Sequence, residues 1–398
     1  MLSDEQALAN KIRVQAEGVK AWIDNGRKGT LEWATGVGKS KGAIDCIKYI
    51  RSMHDYEMGL LVVPTEEMRD TDWPAEFEKW GCPTESLKLV CYASLAKEDL
   101  SKYSFIIYDE GHRLTLPNLQ KLYFYKGSTL CLTATFPNSK YDEDQERVQM
   151  ITELLPPVHT IKTDEAVELG LISDFEVIVL KFYIDAVTRN IAGGTKKAPR
   201  MTTEKAHYNY LTKLLQMATF KGIDGLKFAC ISKRQQFLYN LPSKMRLARH
   251  SLNSLMRDGD KRTLVLCGSI AQANELCGDN VFHSESSSDA LDRFQRKEIN
   301  TLGAVKALNE GKNLVDLDQE QINQVDSVDR NLVQRIGRAV RRRSGNPGFK
   351  ARIVILVALQ TADEKWYRTA IKGFETKRIK EYTVRVPDVK KVSEPVST

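Results

Sequence analysis

Lys39 and Ser40 follow directly on Gly36-Val-Gly38, a run of residue types suited to holding phosphate. Two glycines let the backbone curl until its N–H groups point at one place, which an anion can occupy. A helix beginning near Lys39 adds the positive end of its dipole. In that setting Lys39 reaches the β- and γ-phosphates of a nucleotide, and the Ser40 hydroxyl holds Mg²⁺. The first glycine of the usual G-x-x-x-x-G-K-[ST] pattern is absent, since none stands among Glu32, Trp33 and Ala34. The plainer alternative is a glycine-bearing turn with a solvated lysine.

A second group with chemical potential is Asp109-Glu110-Gly111-His112, seventy residues after Lys39 and directly after the apolar run Phe105-Ile-Ile-Tyr108. A carboxylate at a strand end beside a phosphate loop can hold Mg²⁺ through water, and its neighbour can orient or deprotonate the attacking water. Asp109 takes the first role and Glu110 the second. His112 is placed to report the nucleotide state to Thr133-Ala-Thr135. Alone, such a pair reads as a capping Asp with solvated neighbours; the phosphate loop at this distance argues otherwise.

These groups need strands to carry them. Gly59–Pro64, Leu87–Tyr92, Ser104–Asp109 and Ser128–Thr133 are short and continuously apolar. That pattern marks strands covered on both faces, hence a mainly parallel sheet flanked by helices in an α/β fold. Ligands of such sheets bind at the carboxyl ends of the strands, where Pro64-Thr65, Tyr92-Ala-Ser94, Asp109-Glu110 and Thr133–Thr135 all fall. Helices are expected over 4–25 and from Lys39 to about His54. After Pro156-Pro157 a second unit begins, with runs at Glu176–Tyr183, Thr263–Cys267, Thr301–Val305, Gln321–Val325 and Arg352–Ala358. Residues 190–199 read as a loop. The division expected is 1–160, 161–386 and a polar tail 387–398, with the boundary near 157–165.

The chain has 398 residues, is 42% hydrophobic and carries a net charge of +7. Between Lys196 and Arg257 stand 13 Lys/Arg against 2 Asp/Glu, a local +11 that leaves −4 for the remainder. One basic segment in an acidic body implies a polyanionic partner. Lys196, Lys197, Arg200, Lys233 and Arg234 are the candidate phosphate contacts. Tyr208, Tyr210, Phe220, Phe228, Phe237 and Tyr239 are interleaved with these charges, either as base-stacking rings or as helix core. No apolar run is long enough to span a membrane, and the N-terminus is too polar for a secretory signal, so a cytoplasmic location is expected. The seven cysteines include no C-x-x-C pair and mostly sit in apolar company, as buried thiols of a reducing compartment do. Six scattered histidines disfavour a histidine-rich metal site.

In order along the chain, ATGVGKS, VVPT, CYASL, DEGH, TAT, LVLCGS, ALNEGKNL and QRIGRAVRR resemble the motifs of superfamily 2 helicases. The likeness covers nearly the whole chain. It is nearest in look to compact DEAH-like enzymes: XPB-like proteins, the motor part of type III restriction enzymes and UvsW-like phage helicases. It implies two tandem RecA-like lobes with ATP in the interlobe cleft. Thr35 and Val37 join the phosphate loop, and Gln15, with Arg13, resembles an adenine-recognising element. Gly311 belongs to the nucleotide side of the second lobe. Pro64, Thr65, Ser94 and Ser269 touch nucleic acid. Arg338 and Arg341 are fingers to the γ-phosphate, with Gln334 beside them, while Arg342 and Arg343 suit a solvated or nucleic-acid-facing helix. Departures from the family pattern are Gly111 for Ala, Ser40 for the commoner Thr, Thr133 for Ser, Val305 for Thr and Asn313 for Asp.

The activity implied is ATP- and Mg²⁺-dependent: a DNA helicase or branch-migrating translocase, with proteins of replication or recombination as further partners. An RNA helicase is the alternative within the class, because such motifs mostly touch phosphate and sugar. A nucleotide-gated clamp that unwinds nothing and a P-loop small-molecule kinase are the alternatives outside it. The kinase reading predicts neither a second lobe nor paired C-terminal arginines.

Overall fold

A computed structural model describes residues 2–53, 58–137, 144–195, 198–257, 259–305, 314, 316–325, 340, 346, 348–371 and 376–386. Contacts divide the chain into two compact units. The first runs up to Asp174 and takes in Val340 and its described neighbours to Phe349; the second begins at Phe175 and holds the rest.

The first unit opens with the helix Asp4–Asp24, whose start is fixed by a capping box. The Gln6 N–H donates to Ser3 Oγ at 3.1 Å, and the Ser3 N–H donates to Gln6 Oε1 at 2.9 Å. Trp22 is buried on its inner face and donates its indole N–H to the Thr129 carbonyl at 2.9 Å, fastening the helix to the sheet. The strands are β1 (Lys28–Trp33), β2 (Gly59–Val63), β3 (Leu87–Cys91), β4 (Phe105–Asp109), β5 (Ser128–Thr133) and β6 (Pro157–Ile161). They pair in the order β3-β2-β4-β5-β1-β6. Every pairing is parallel, so all six carboxyl ends share one edge. β2, β4 and β5 are buried along their whole length, as continuous apolar runs require. Each Leu, Ile or Val so buried contributes about 1.5–3 kcal/mol.

The second unit holds β7 (Asp174–Tyr183), β8 (Ile191–Thr195), β9 (Ala198–Thr202), β10 (Thr263–Cys267), β11 (Val281–Phe282), β12 (Thr301–Val305), β13 (Gln319–Ile322), β14 (Lys350–Leu359) and β15 (Ile379–Thr383). Seven of these form a sheet in the order β11-β12-β10-β13-β14-β7-β15. The pairings of β10 with β12 and β13, of β11 with β12, of β13 with β14 and of β7 with β15 are parallel.

Two expectations are corrected here. Within the loop expected over 190–199, Ile191–Thr195 and Ala198-Pro199 are strand: β8 and β9 pair antiparallel, Ile191 opposite Thr202 and Thr195 opposite Ala198. Glycine content suggested a loop, but Gly193 and Gly194 sit within the ladder. The strand expected over 321–325 lies at 319–322, and it is polar yet fully buried in mid-sheet. Thr263 Oγ1 donates to Gln319 Oε1 at 3.2 Å, and Gln321 Nε2 donates to the Ala248 carbonyl at 3.0 Å. Such bonds let polar residues occupy a position that apolar patterning assigns elsewhere. Cys46, Cys82, Cys91, Cys131, Cys230 and Cys267 are free and buried, and Cys277 is free and half-buried.

Candidate nucleotide site and nucleic-acid surface

The candidate phosphate loop leaves β1 at Trp33 and enters the helix Lys39–Met53. Gly36 and Gly38 both take left-handed backbone, φ +95° and +103°, which the other residues of the loop would adopt only under strain. A side chain at Gly38 would also collide with Gln15, its Cβ falling 2.4 Å from Gln15 Nε2. Gln15 is buried and donates that amide to the Val37 carbonyl at 3.0 Å, so the helix Asp4–Asp24 braces the loop from behind. Arg13, by contrast, pairs with Glu17 on the exposed face. Lys39 donates to the Trp33 carbonyl at 3.3 Å, and Thr35, Lys39 and Ser40 are half-buried.

On the same edge, Asp109 ends β4 and Glu110 turns into left-handed backbone at φ 52°, ψ 51°, a costly conformation for a side chain without a capping role. Asp109 is buried, and Glu110 is half-buried with its Oε2 turned inward. Burial, then the charge of Glu110, raises the Asp109 carboxyl, and the Trp73 indole and Lys39 only partly oppose this. Burial pushes Glu110 the same way, yet the Lys39 ammonium, His112 and Arg113 together outweigh it and hold Glu110 below the usual carboxylate range. Lys39 therefore acts electrostatically on both carboxyls although it follows a different strand.

His112 is buried, with Nδ1 3.1 Å from Thr133 Oγ1 and 3.2 Å from Glu110 Oε2. The Thr133 hydroxyl donates to the Thr135 carbonyl at 3.0 Å, so Nδ1 carries the ring proton toward Thr133. The Glu110 contact is an ion-pair distance rather than an aligned hydrogen bond. Gly111 packs against β5: a Cβ there would lie 2.1 Å from Cys131 Sγ. That collision accounts for glycine where DEAH enzymes carry alanine.

Four supporting residues escaped the sequence reading. Trp73, in the helix Trp73–Lys79, is buried and donates its indole N–H to Asp109 Oδ2 at 2.9 Å. Arg147 donates Nε to the Leu114 carbonyl at 2.7 Å and Nη2 to the His112 carbonyl at 2.6 Å, holding the turn after Glu110. Glu32, on β1, accepts from the Phe136 N–H at 3.1 Å and from Lys162, tying the segments after β5 and β6 to β1. Lys11 lies beside Gly38, where its ammonium is lowered by burial and by Lys79. None stands in a recognisable spacing; a tryptophan shortly after Pro64-Thr65 was the one readable signal.

The strand ends also place Pro64, Thr65 and Ser94, all half-buried, on this edge. Thr65 Oγ1 accepts from the Met68 N–H at 3.2 Å, so its hydroxyl starts the next helical turn. Tyr92, two residues before Ser94, donates to the Asp109 carbonyl at 2.9 Å. In the second unit Ser269 caps the helix Ile270–Cys277, accepting from the Gln272 N–H at 3.1 Å and donating to Asn240 Oδ1 at 2.5 Å. Arg200 on β9 and Lys233 are exposed, and Arg234 is half-buried with Nε turned inward. Lys196, Lys197, Gly311, Gln334, Arg338 and Arg341 lie outside the described residues. Val340, between those two arginines in sequence, is buried in the first unit and its carbonyl accepts from the Ser173 N–H at 2.8 Å.

The six aromatics of the basic segment divide. Tyr208 and Tyr239 are buried and Phe237 is half-buried, whereas Tyr210, Phe220 and Phe228 are exposed. Among the described residues no helix is long and apolar enough to cross a membrane, and no His/Cys/Asp/Glu cluster has the makings of a metal site by itself.

No protein-family model matches the sequence, and no curated protein matches it. Solved structures do. The ATP-dependent Type ISP restriction-modification enzyme LlaBIII, bound to DNA, aligns with TM-score 0.56 and 14% identity over 97% of this chain and 31% of that one. The fragment of a putative HsdR subunit of a type I restriction enzyme from Vibrio vulnificus YJ016 aligns with TM-score 0.58 and 16% identity over 94% of this chain and 67% of that one. The chain thus spans under a third of the length of the first. At these identities the likeness is one of fold. The fold is α/β, two tandem RecA-like lobes with mainly parallel sheets of six and seven strands flanked by helices.

Proposed function

We propose that this chain is a superfamily 2 motor: a nucleic-acid-stimulated ATPase that couples hydrolysis to strand separation or branch migration on DNA. The observation that carries the reading is the common edge of the first sheet. There Lys39 of a glycine-built phosphate loop shapes the ionisation of both Asp109 and Glu110, two strands away. The likeness to an ATP-dependent restriction enzyme bound to DNA favours DNA over RNA, and the basic segment 196–257 supports a polyanionic partner.

The donor set suits Mg²⁺. Asp109 and Glu110 crowd negative charge into a buried place, Glu110 Oε2 has no aligned donor, and Ser40 offers a hydroxyl at a helix start. Ser40 and Asp109 would hold the ion, and a bound Mg²⁺ supplies charge neutralisation at the β- and γ-phosphates. The remaining work belongs to side chains. The N–H groups of Thr35–Gly38 and the Lys39 ammonium bind the phosphates, while Gln15 keeps the loop in shape. Glu110, kept ionised by Lys39 and His112, orients the attacking water and takes its proton. His112 couples Glu110 to Thr133, so that the state of the γ-phosphate is felt along β5. Arg338 and Arg341 act as fingers on the γ-phosphate beside Gln334, and Gly311 completes the nucleotide contacts. Pro64, Thr65, Ser94, Ser269, Lys196, Lys197, Arg200, Lys233 and Arg234 hold the polymer. In this reading residues 1–160 form the ATP-binding lobe and 161–386 the second lobe, in a cytoplasmic protein that works with replication or recombination factors.

The test compares ATP turnover with no polymer, single-stranded DNA, branched DNA and RNA, for the parent and for Lys39→Ala. The expected result is strong stimulation by DNA, most by branched DNA, and none in the variant, whose salt-sensitive DNA binding persists. Turnover indifferent to every polymer, or unchanged in Lys39→Ala, would remove the reading.

A further inference from the structure

The helices Glu204–Phe220 and Asp224–Tyr239 form a hairpin turned at Gly222, whose φ of +64° closes the bend. Its base is fixed in the second unit. The fully buried Glu204 carboxylate accepts from the Asp185 N–H at 2.9 Å, the Ser243 N–H at 2.7 Å and Ser243 Oγ at 2.5 Å. The Tyr208 hydroxyl accepts from the Ala362 N–H at 2.8 Å, and Gln272 donates to the Tyr239 carbonyl at 2.7 Å. Gly268 lets the Tyr239 ring in, since a Cβ there would lie 2.3 Å from it. Two arms of 17 and 16 residues then carry the turn about 25 Å from these anchors.

At that far end the usual distribution of residues is inverted. Phe220 is 93% exposed, Phe228 69% and Met217 53%, and Ile223 and Leu226 are exposed with them. Isolated apolar residues on a surface need no explanation, but five gathered at the apex of an anchored lever mark a contact surface. Its electrostatics point to a polyanion. The hairpin carries Lys205, Lys213, Lys221, Lys227, Lys233 and Arg234 against Glu204 and Asp224, and Glu204 is engaged at the base, which leaves Asp224 facing outward. Each exposed ring of the apex has a lysine as its chain neighbour, Phe220-Lys221 on one arm and Lys227-Phe228 on the other. Rings flanked by cations suit bases beside phosphates, and Phe, Met, Leu and Ile are the side chains that proteins press against or between base steps.

We propose that this apex is a wedge that stacks Phe220 and Phe228 on the terminal base pair where duplex meets single strand, with Lys221 and Lys227 on the adjoining phosphates. The inference rests on the nucleic-acid motor reading and assigns a part of that work to residues outside its motifs.

The experiment uses the full chain, a tailed DNA duplex and a tailed RNA duplex with 2-aminopurine at the junction, and the untailed single strand. Phe220→Ser/Phe228→Ser should bind the tailed duplex about five- to hundredfold more weakly, the range carried by base–aromatic stacking. It should lose the 2-aminopurine response, bind single strand nearly as the parent does, and keep the parent's turnover without polymer. Both substitutions are at exposed positions. Tyr123→Ser/Phe124→Ser, which removes an exposed aromatic pair of the first unit, should change neither signal. Equal losses on the DNA and RNA junctions support the wedge and make it a reader of junction shape. Unchanged junction affinity and fluorescence in the hairpin variant overturn it. So does a variant whose solution mass changes while junction binding does not, because the apex would then dock protein. A parent that binds no polymer at all sinks the motor reading and the wedge together; a parent that binds and a variant that matches it sinks the wedge alone.

Discussion

The carboxyl edge of the first sheet and the helical hairpin 204–239 of the second unit are built by opposite means. Along the edge, polar groups are pinned one to another: Gln15 to Val37, Trp73 to Asp109, His112 to Thr133, Arg147 to the His112 carbonyl. Chemistry there is set by atoms held within a few tenths of an ångström, which is what activating water or positioning phosphate demands. At the hairpin apex Phe220, Ile223, Leu226 and Phe228 are exposed, and only the base is fastened. Stacking and charge tolerate such latitude, because every base has a face and every phosphate a charge. The motor proposed above would use both kinds of region, one rigid in register and one forgiving of sequence.

The comparison is broken most severely by attacking the edge. Glu110→Gln should slow hydrolysis about 10²–10⁴-fold while leaving Asp109 in place, with nucleic-acid binding in ATP retained or tightened. Single-turnover hydrolysis measures this, and near-parental rates would overturn the division of roles within Asp109-Glu110. Next in size, Trp73→Phe keeps an aromatic ring at the position but removes the donor to Asp109 Oδ2. The Mg²⁺ concentration needed for half-maximal nucleotide binding should rise about 10–100-fold, as for lost outer-shell partners of metal ligands; an unshifted Mg²⁺ titration would make Trp73 mere packing.

A smaller effect tests how tightly the edge is packed. Gly111→Ala places a Cβ against Cys131 Sγ and should cost about 1–3 kcal/mol of stability by overpacking. Adding Cys131→Ala removes the sulfur and should recover much of that loss in a urea denaturation cycle. Additive losses would mean the collision is relieved elsewhere. Smallest of all is the response of the hairpin's charges. Lys233→Gln/Arg234→Gln should reduce the slope of log affinity against log salt by about 0.7–0.9 for each true phosphate contact. Arg234 keeps Nε inside, so Lys233 is expected to account for most of the change. A slope equal to the parent's would assign both to the surface alone.

How much was legible before the fold was known follows the same line. The sequence by itself determined the strands β2, β4, β5 and β10, because burial on both faces demands continuous apolar runs. It determined the glycine turn after β1 as well, since the backbone at Gly36 and Gly38 favours glycine. Parallel strands then forced Lys39 and Asp109-Glu110 onto one edge whatever the intervening loops did. Tertiary structure alone decided the rest. Trp73 and Arg147 find Asp109 and the His112 carbonyl across 36 and 35 residues by packing, which leaves no local spacing to read. β13 escaped because its residues are polar, and it is the Thr263 hydroxyl and the Ala248 carbonyl on other elements that receive Gln319 and Gln321. The aromatics of the basic segment share one composition and one periodicity, yet Tyr208 and Tyr239 are buried while Phe220 and Phe228 face water. Periodicity fixes which residues share a helix face; only the neighbours that a fold brings up, present at the hairpin's base and missing at its apex, decide whether that face is covered.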